Sequence, residues 1–137
     1  METLTDIRRT FTMKADIHKV WDRVATAEGL ASWFMPPNAF EPVVGFEFHL
    51  NAGPWGNPAC KVTEVDAPHR LSFLWGEDWT LTFELVDQGG STEFTLIHSG
   101  WKADMETPFG ESHAVVRERM DQGWAGLGQK LVSLVEA

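Results

Sequence analysis

The residue best placed to do chemistry is a histidine on an otherwise apolar strand face. Phe94, Leu96 and His98 alternate with Glu93, Thr95 and Ile97, so the imidazole shares a face with two large apolar side chains. A buried imidazole needs partners for both ring nitrogens. It can find them in neighbouring backbone, in a ligand hydroxyl or carbonyl, or in a substrate proton, the last making it a general acid or base. Acid–base work needs a second group, so a carboxylate such as Glu64 would have to meet His98 inside the protein. His18, His49, His69 and His113 share no spacing with a carboxylate that matches a metal-binding motif, so no metal is expected. Cys60 is the one cysteine, which excludes an intramolecular disulfide or a multi-Cys zinc site, and no base adjoins it to mark a nucleophile. Residues 51–59 contain glycines and prolines but lack the Lys-Ser/Thr of a phosphate-binding loop, and no Gly-x-Ser-x-Gly elbow is present. Glu77 and Asp78 read as turn residues. No residue is marked as catalytic, and nothing calls for a cofactor.

What the chain has in quantity is aromatic surface. Seven Trp and nine Phe occur with no Tyr, which supplies large rings and few hydroxyl handles. Such rings fill a core or line an apolar cavity. The net charge of −9, from 20 acidic and 11 basic residues with no Lys/Arg cluster, argues against nucleic acid and against anionic membrane surfaces. The start of the chain lacks the order of a signal peptide, and no apolar run reaches membrane-spanning length. A cytoplasmic protein is the expectation.

The elements that must position these residues are legible in the spacing. Ile7, Arg9, Phe11 and Met13 alternate with Arg8, Thr10 and Thr12 as a strand. Asp16 is placed to cap a short helix carrying Val20, Trp21 and Val24, and Thr26 a second through Leu30 and Trp33, ended by Pro36-Pro37. Strands follow over residues 45–50, 59–65, 71–75, 79–85 and 94–98, with Gln88-Gly89-Gly90 as a hairpin signal. Residues 100–110 form an apolar loop with Trp101, Met105, Pro108 and Phe109. From about Ser112, Val116, Met120, Trp124, Leu127, Leu131 and Leu134 recur at steps of three and four, one stripe of a long helix, with Arg117, Glu118, Asp121 and Lys130 mostly turned away. Gly123, Gly126 and Gly128 each cost roughly 1 kcal/mol against Ala there. Gly123 and Gly126 flank the stripe, so the missing side chains allow either close approach of the sheet or space for a ligand.

Several stretches resemble a known family. Ala15-Asp16-Ile17-His18-Lys19-Val20-Trp21-Asp22 and Ala27-Glu28-Gly29-Leu30-Ala31-Ser32-Trp33-Phe34 are similar to the opening of bacterial proteins related to the C-terminal domain of the activator of the heat-shock-protein-ninety ATPase. Residues 62–75 resemble that family's central hairpin, and residues 92–101 and Gly123-Trp124 with Leu127 and Leu131 resemble later parts of it. The resemblance implies an α+β helix-grip fold of the START-like, birch-pollen-allergen-like superfamily. That means a curved seven-stranded antiparallel sheet around a long C-terminal helix, two short helices after the first strand, and a hydrophobic cavity between sheet and helix. Superfamily members include lipid and polyketide carriers, hormone-binding proteins, cyclases and the co-chaperone domain, so the fold leaves the function open.

The expectation is one domain, residues 1–137, that binds a small hydrophobic molecule, aromatic or lipid-like, in an internal cavity without transforming it. Alternation nominates Phe48, Val62, Phe73, Trp75, Trp79, Phe83, Phe94, Leu96, Met120, Trp124 and Leu127 as lining, with His98 as polar anchor, and the resemblance implies Trp33, Phe34, Trp101 and Phe109 at the cavity mouth. A β-bulge would turn part of that list by a whole face. Two alternatives stand: an interaction module for a partner protein, requiring a filled interior and an exposed apolar patch, and an enzyme using His98 with Glu64 on a polyketide-like substrate.

Overall fold

The alternating runs form six strands of one curved antiparallel sheet in the computed structural model, which describes residues 6–51, 57–76, 79–101 and 113–136. They are β1 (Ile7–Met13), β2 (Glu47–His49), β3 (Ala59–Asp66), β4 (Arg70–Trp75), β5 (Trp79–Asp87) and β6 (Thr92–Ser99), in spatial order β1-β6-β5-β4-β3-β2. The register sets Phe11 opposite Phe94, Phe83 opposite Leu96, and His98 between Ile7 of β1 and Leu81 of β5. Apolar side chains of alternate positions therefore stack in rows on one face.

The seven strands implied by the family resemblance are corrected to six among the described residues. Residues 34–46 carry Pro36, Pro37 and Pro42, and meet the sheet through an isolated bridge from Pro37 to Leu50 and a few backbone bonds at either end, such as Asn38 N–H to the His49 carbonyl oxygen and Val62 N–H to the Phe46 carbonyl oxygen, with no continuous ladder of their own. Proline has no N–H to give a ladder, so this segment cannot extend the sheet.

Two short helices follow β1. Asp16 caps α1 (Ile17–Val24), its carboxylate accepting from the His18 N–H at 3.0 Å, and Thr26 caps α2 (Ala27–Trp33), its hydroxyl accepting from the Gly29 N–H at 2.9 Å. A Cβ on Gly29 would lie 2.3 Å from the Asp22 carbonyl oxygen, so only glycine lets α2 seat against α1. The long helix α3 (His113–Glu136) buries Val116, Trp124, Leu131 and Val135 and half-buries Met120, Leu127 and Leu134, the stripe read from the spacing. Its backbone runs nearest β1, then α2 and α1. Arg9 faces the helix and its charge is met there by Asp121 at 2.9 Å, while Glu136 accepts the Lys14 N–H at 2.9 Å.

Among the helix glycines, the close approach belongs to Gly128 rather than to Gly123 or Gly126. A Cβ at Gly128 would fall 2.1 Å from the Phe11 ring, whereas Cβ atoms at Gly123 and Gly126 would meet nothing within 4 Å. The latter two are solvent-exposed, so neither the sheet nor a ligand space explains them.

The opposite sheet face is polar. Ser72 and Thr82 hydroxyls bond at 2.9 Å, Thr10 and Thr95 at 3.0 Å, and Arg70 bridges Glu64 at 2.7 Å and Glu84. Glu64 lies on this outer face because the β3–β4 register shifts between Val62 and Glu64. Without that bulge, Glu64 would share the inner face with Val62.

Candidate functional site

Four indoles surround His98 at one end of the sheet. Trp75 ends β4 and Trp79 begins β5, and the two are cross-strand partners. Trp75 stacks on the imidazole with centroids 5.2 Å apart, and Trp79 meets it edge-on at 5.0 Å. Just beyond β6, Gly100 takes φ +97°, a conformation that glycine adopts without steric cost, and returns the chain so that Trp101 covers His98 at 4.5 Å. Trp101 Nε1–H then donates to the His98 carbonyl oxygen at 3.0 Å. From α3, Trp124 supplies the fourth indole, its Nε1–H donating to His98 Nδ1 at 3.0 Å.

That last bond assigns the tautomer. A ring nitrogen that accepts cannot carry the proton, so neutral His98 bears it on Nε2. The neutral form is secured by burial, which together with the nearby Arg117 charge lowers the pKa from 6.5 to about 3. His98 is fully buried, and its Nε2–H finds no acceptor among the described residues. A buried donor left in that state costs about 1–3 kcal/mol.

Phe34, the residue following α2, reaches the same end of the interior. Its half-buried ring stacks on Trp124 at 5.3 Å and meets Trp75 edge-on at 5.9 Å, leaning on a helix residue and a sheet residue that also touch each other edge-on at 6.1 Å. Phe34 and His98 thus share two walls, Trp75 and Trp124. The hollow expected between helix and sheet is occupied, among the described residues, by rings of this kind. Two depressions lie on the outside: one of about 480 Å³ at Pro36, Pro37, Asn38, His49, Asn51 and Asn57, and one of about 630 Å³ at the α1–α2 corner. Neither is lined by a residue of the indole cluster.

The residues nominated from alternation are brought together on the inner side. Phe48, Val62, Phe73, Trp75, Phe83, Phe94, Leu96, His98 and Trp124 are buried, while Trp79, Met120 and Leu127 are half-buried against them. The nominated mouth does not assemble as expected. Trp33 is fully buried at the centre, packed on Phe83 at 5.6 Å and Phe94 at 6.0 Å, with its Nε1–H donating to the Arg23 carbonyl oxygen. Trp101 is buried over His98, and Phe109 lies outside the described residues. Only Phe34 remains partly open.

Glu64 does not meet His98. It points outward into its ion pair with Arg70, so the pair required for acid–base catalysis is separated by the thickness of the sheet. Cys60 is buried with its thiol pushed up to about 12, chiefly by desolvation, which makes it a poor nucleophile. The reading of single strands missed the Trp124–His98 bond and the inward Phe34. Gly100 immediately before Trp101 was the one local signal that the latter turns back onto the strand.

The model of the family described as activator of Hsp90 ATPase homolog 1-like protein matches residues 14–136. No curated protein sequence matches the chain. Among solved structures, it is similar to protein BH1534 of Bacillus halodurans, with 43% identity over 99% of this chain and 100% of that one, and a TM-score of 0.89. It is also similar in fold to the Aha1 dimer from Colwellia psychrerythraea, at 20% identity over 97% of each chain with a TM-score of 0.75. DynU16, described as a putative protein in the dynemicin biosynthetic locus, matches with 18% identity over 96% of this chain and 47% of its own, and a TM-score of 0.76.

Proposed function

The chain belongs to the activator of Hsp90 ATPase homolog 1-like family, and from that premise we propose that it binds a small, planar, largely apolar molecule in the slot that the Phe34 ring fills against Trp75 and Trp124. The fold is one that commonly binds hydrophobic ligands. The observation that carries the reading is the Phe34 ring, stacked at 5.3 Å on Trp124 and edge-on at 5.9 Å to Trp75. The slot accepts an aromatic slab, and its occupant comes from neither wall but from the end of a short helix followed by two prolines. A ligand ring that displaced Phe34 would keep the ring contacts and bury its own area, worth about 25 cal/mol per Å² before association costs.

Displacing Phe34 limits affinity, so removing it is the test. Phe34→Ala is expected to bind the hydrocarbon indane about tenfold or more tighter than the unaltered chain, read by quenching of tryptophan fluorescence. Absence of saturable binding in both proteins would remove the slot reading. Native mass spectrometry of the freshly purified chain gives the companion measurement, with a co-purifying mass of a few hundred daltons at most expected.

The other two readings have less support. Interfaces draw on exposed aromatic and arginine anchors, and none of the described Trp or Phe side chains is exposed. Among the described residues, the exposed large apolar ones are Val43, Val44, Leu74, Val86 and Val115. Acid–base catalysis by His98 with Glu64 is opposed by their places on opposite faces of the sheet.

A further inference from the structure

The chain around Phe34 is fixed on both sides, and the two fixings differ in kind. On the α2 side, Trp33 is fully buried with its Nε1–H on the Arg23 carbonyl oxygen at 2.8 Å. The Phe34 N–H closes the helix on the Leu30 carbonyl oxygen, also at 2.8 Å. On the far side, residues 36–38 run beside the end of β2 at an exposed edge. There the Pro36 carbonyl oxygen accepts the Asn51 N–H at 2.9 Å. Asn38 engages both backbone groups of His49: its N–H donates to the His49 carbonyl oxygen at 2.9 Å, and its Oδ1 accepts the His49 N–H at 2.8 Å. An antiparallel strand would make the second bond with its own carbonyl, and here a side chain stands in for it.

Between the two fixings the chain is stiff. The rings of Pro36 and Pro37 lock φ, and Met35, which precedes a proline, is kept extended. A stiff link passes a displacement at one end to the other. The core holds the α2 end, so a turn of the backbone at Phe34 is taken up at Asn38, where an open depression adjoins Pro36, Pro37 and Asn38. We propose that Asn38 is a clasp that sets how readily Phe34 leaves the slot. With its side chain on His49, the ring rests against Trp75 and Trp124; when that bond opens, the proline pair swings and withdraws the ring. Asn38 and His49 are both exposed, so water competes for the bond and opening it is cheap. The clasp rests on the slot reading above and names what controls it.

The test compares two substitutions at one exposed residue. Asn38→Ala removes the acceptor and keeps the backbone bonds, whereas Asn38→Asp keeps an acceptor oxygen. Indane is titrated by tryptophan fluorescence into the unaltered chain, both variants, Phe34→Ala, and Phe34→Ala combined with Asn38→Ala. Asn38→Ala is expected to bind indane about threefold to tenfold tighter, and Asn38→Asp to match the unaltered chain. In Phe34→Ala the same Asn38→Ala change should have no effect, because no ring is left to withdraw. In the ligand-free chain, Overhauser contacts between the Phe34 ring and Trp124 should weaken in Asn38→Ala and persist in Asn38→Asp. Unchanged contacts in Asn38→Ala would overturn the clasp and leave the slot standing. So would an unchanged indane affinity beside a tighter Phe34→Ala, or an equal gain with and without Phe34. Should none of the proteins bind indane, the slot reading falls, and the ligand-free contacts decide the clasp alone: weakened they support it, unchanged they overturn it.

Discussion

The two ends of the helix–sheet seam are built on different terms. Where α3 crosses β1, Gly128 rests on Phe11 so closely that a methyl group has no room, and Leu131 and Val135 are buried alongside Met13. No side-chain hydrogen bond is needed among those apolar groups, and shape complementarity alone determines the fit. At the other end the seam is filled by indoles, a phenyl ring from a third element, and an imidazole with one nitrogen bonded and the other without a partner among the described residues. Rings with polar atoms at fixed places recognise chemistry as well as volume. One end is organised for stability, and the other retains an unmet hydrogen-bonding demand that stability alone does not explain.

That contrast can be broken by measurement, beginning with the largest effect. His98 has its folded-state pKa lowered from 6.5 to about 3, so the unfolded chain binds a proton that the folded chain refuses between those values. Its contribution is fully present above pH 6.5 and is lost as pH falls toward 3, at about 1.4 kcal/mol per pH unit. Urea denaturation at pH 6.5 and 4.5 should therefore show a loss on the order of 3 kcal/mol, much of it missing in His98→Phe. A stability independent of pH across that window would mean the imidazole is solvated.

At the close-packed end, Gly128→Ala forces a methyl group into the Phe11 ring and should cost about 2 kcal/mol in the same assay, despite the better helix propensity of alanine. The intermediate case is Trp124→Phe, which removes the indole N–H from His98 Nδ1 and should cost about 1–2 kcal/mol while also loosening the stack on Phe34. The smallest effect has the opposite sign. Gly126→Ala points its methyl group into open space and should stabilise by about 0.5–1 kcal/mol. If Gly126→Ala and Gly128→Ala behaved alike, the seam would not be close-packed as described.

The spacing of residues carried the elements and their inward faces, because alternation and the three-four repeat are local consequences of strand and helix geometry. His98 facing inward beside Phe94 and Leu96, and the α3 stripe, were legible for that reason. Other features depend on partners distant in the chain. The bulge after Val62 exists only in pairing with β4, and it sends Glu64 outward, so simple alternation placed that carboxylate on the wrong face. That residues 34–46 form no strand was visible in Pro36, Pro37 and Pro42, but the family resemblance outweighed them in the expectation. Which of three helix glycines sits against the sheet depends on helix rotation, and the ring at Phe11 settles it in favour of Gly128. The family resemblance implied a mouth position for Trp33 and Trp101, yet each indole N–H finds a carbonyl oxygen within, which lets the whole ring be buried.

The central claim is that a ligand ring takes the place of Phe34 against Trp75 and Trp124. Nuclear Overhauser contacts recorded with saturating indane test it directly in the unaltered chain. The account predicts contacts from the probe to both indoles and loss of those between the Phe34 ring and Trp124. Persistence of the Phe34–Trp124 contacts at saturation, with none from the probe to either indole, would contradict it.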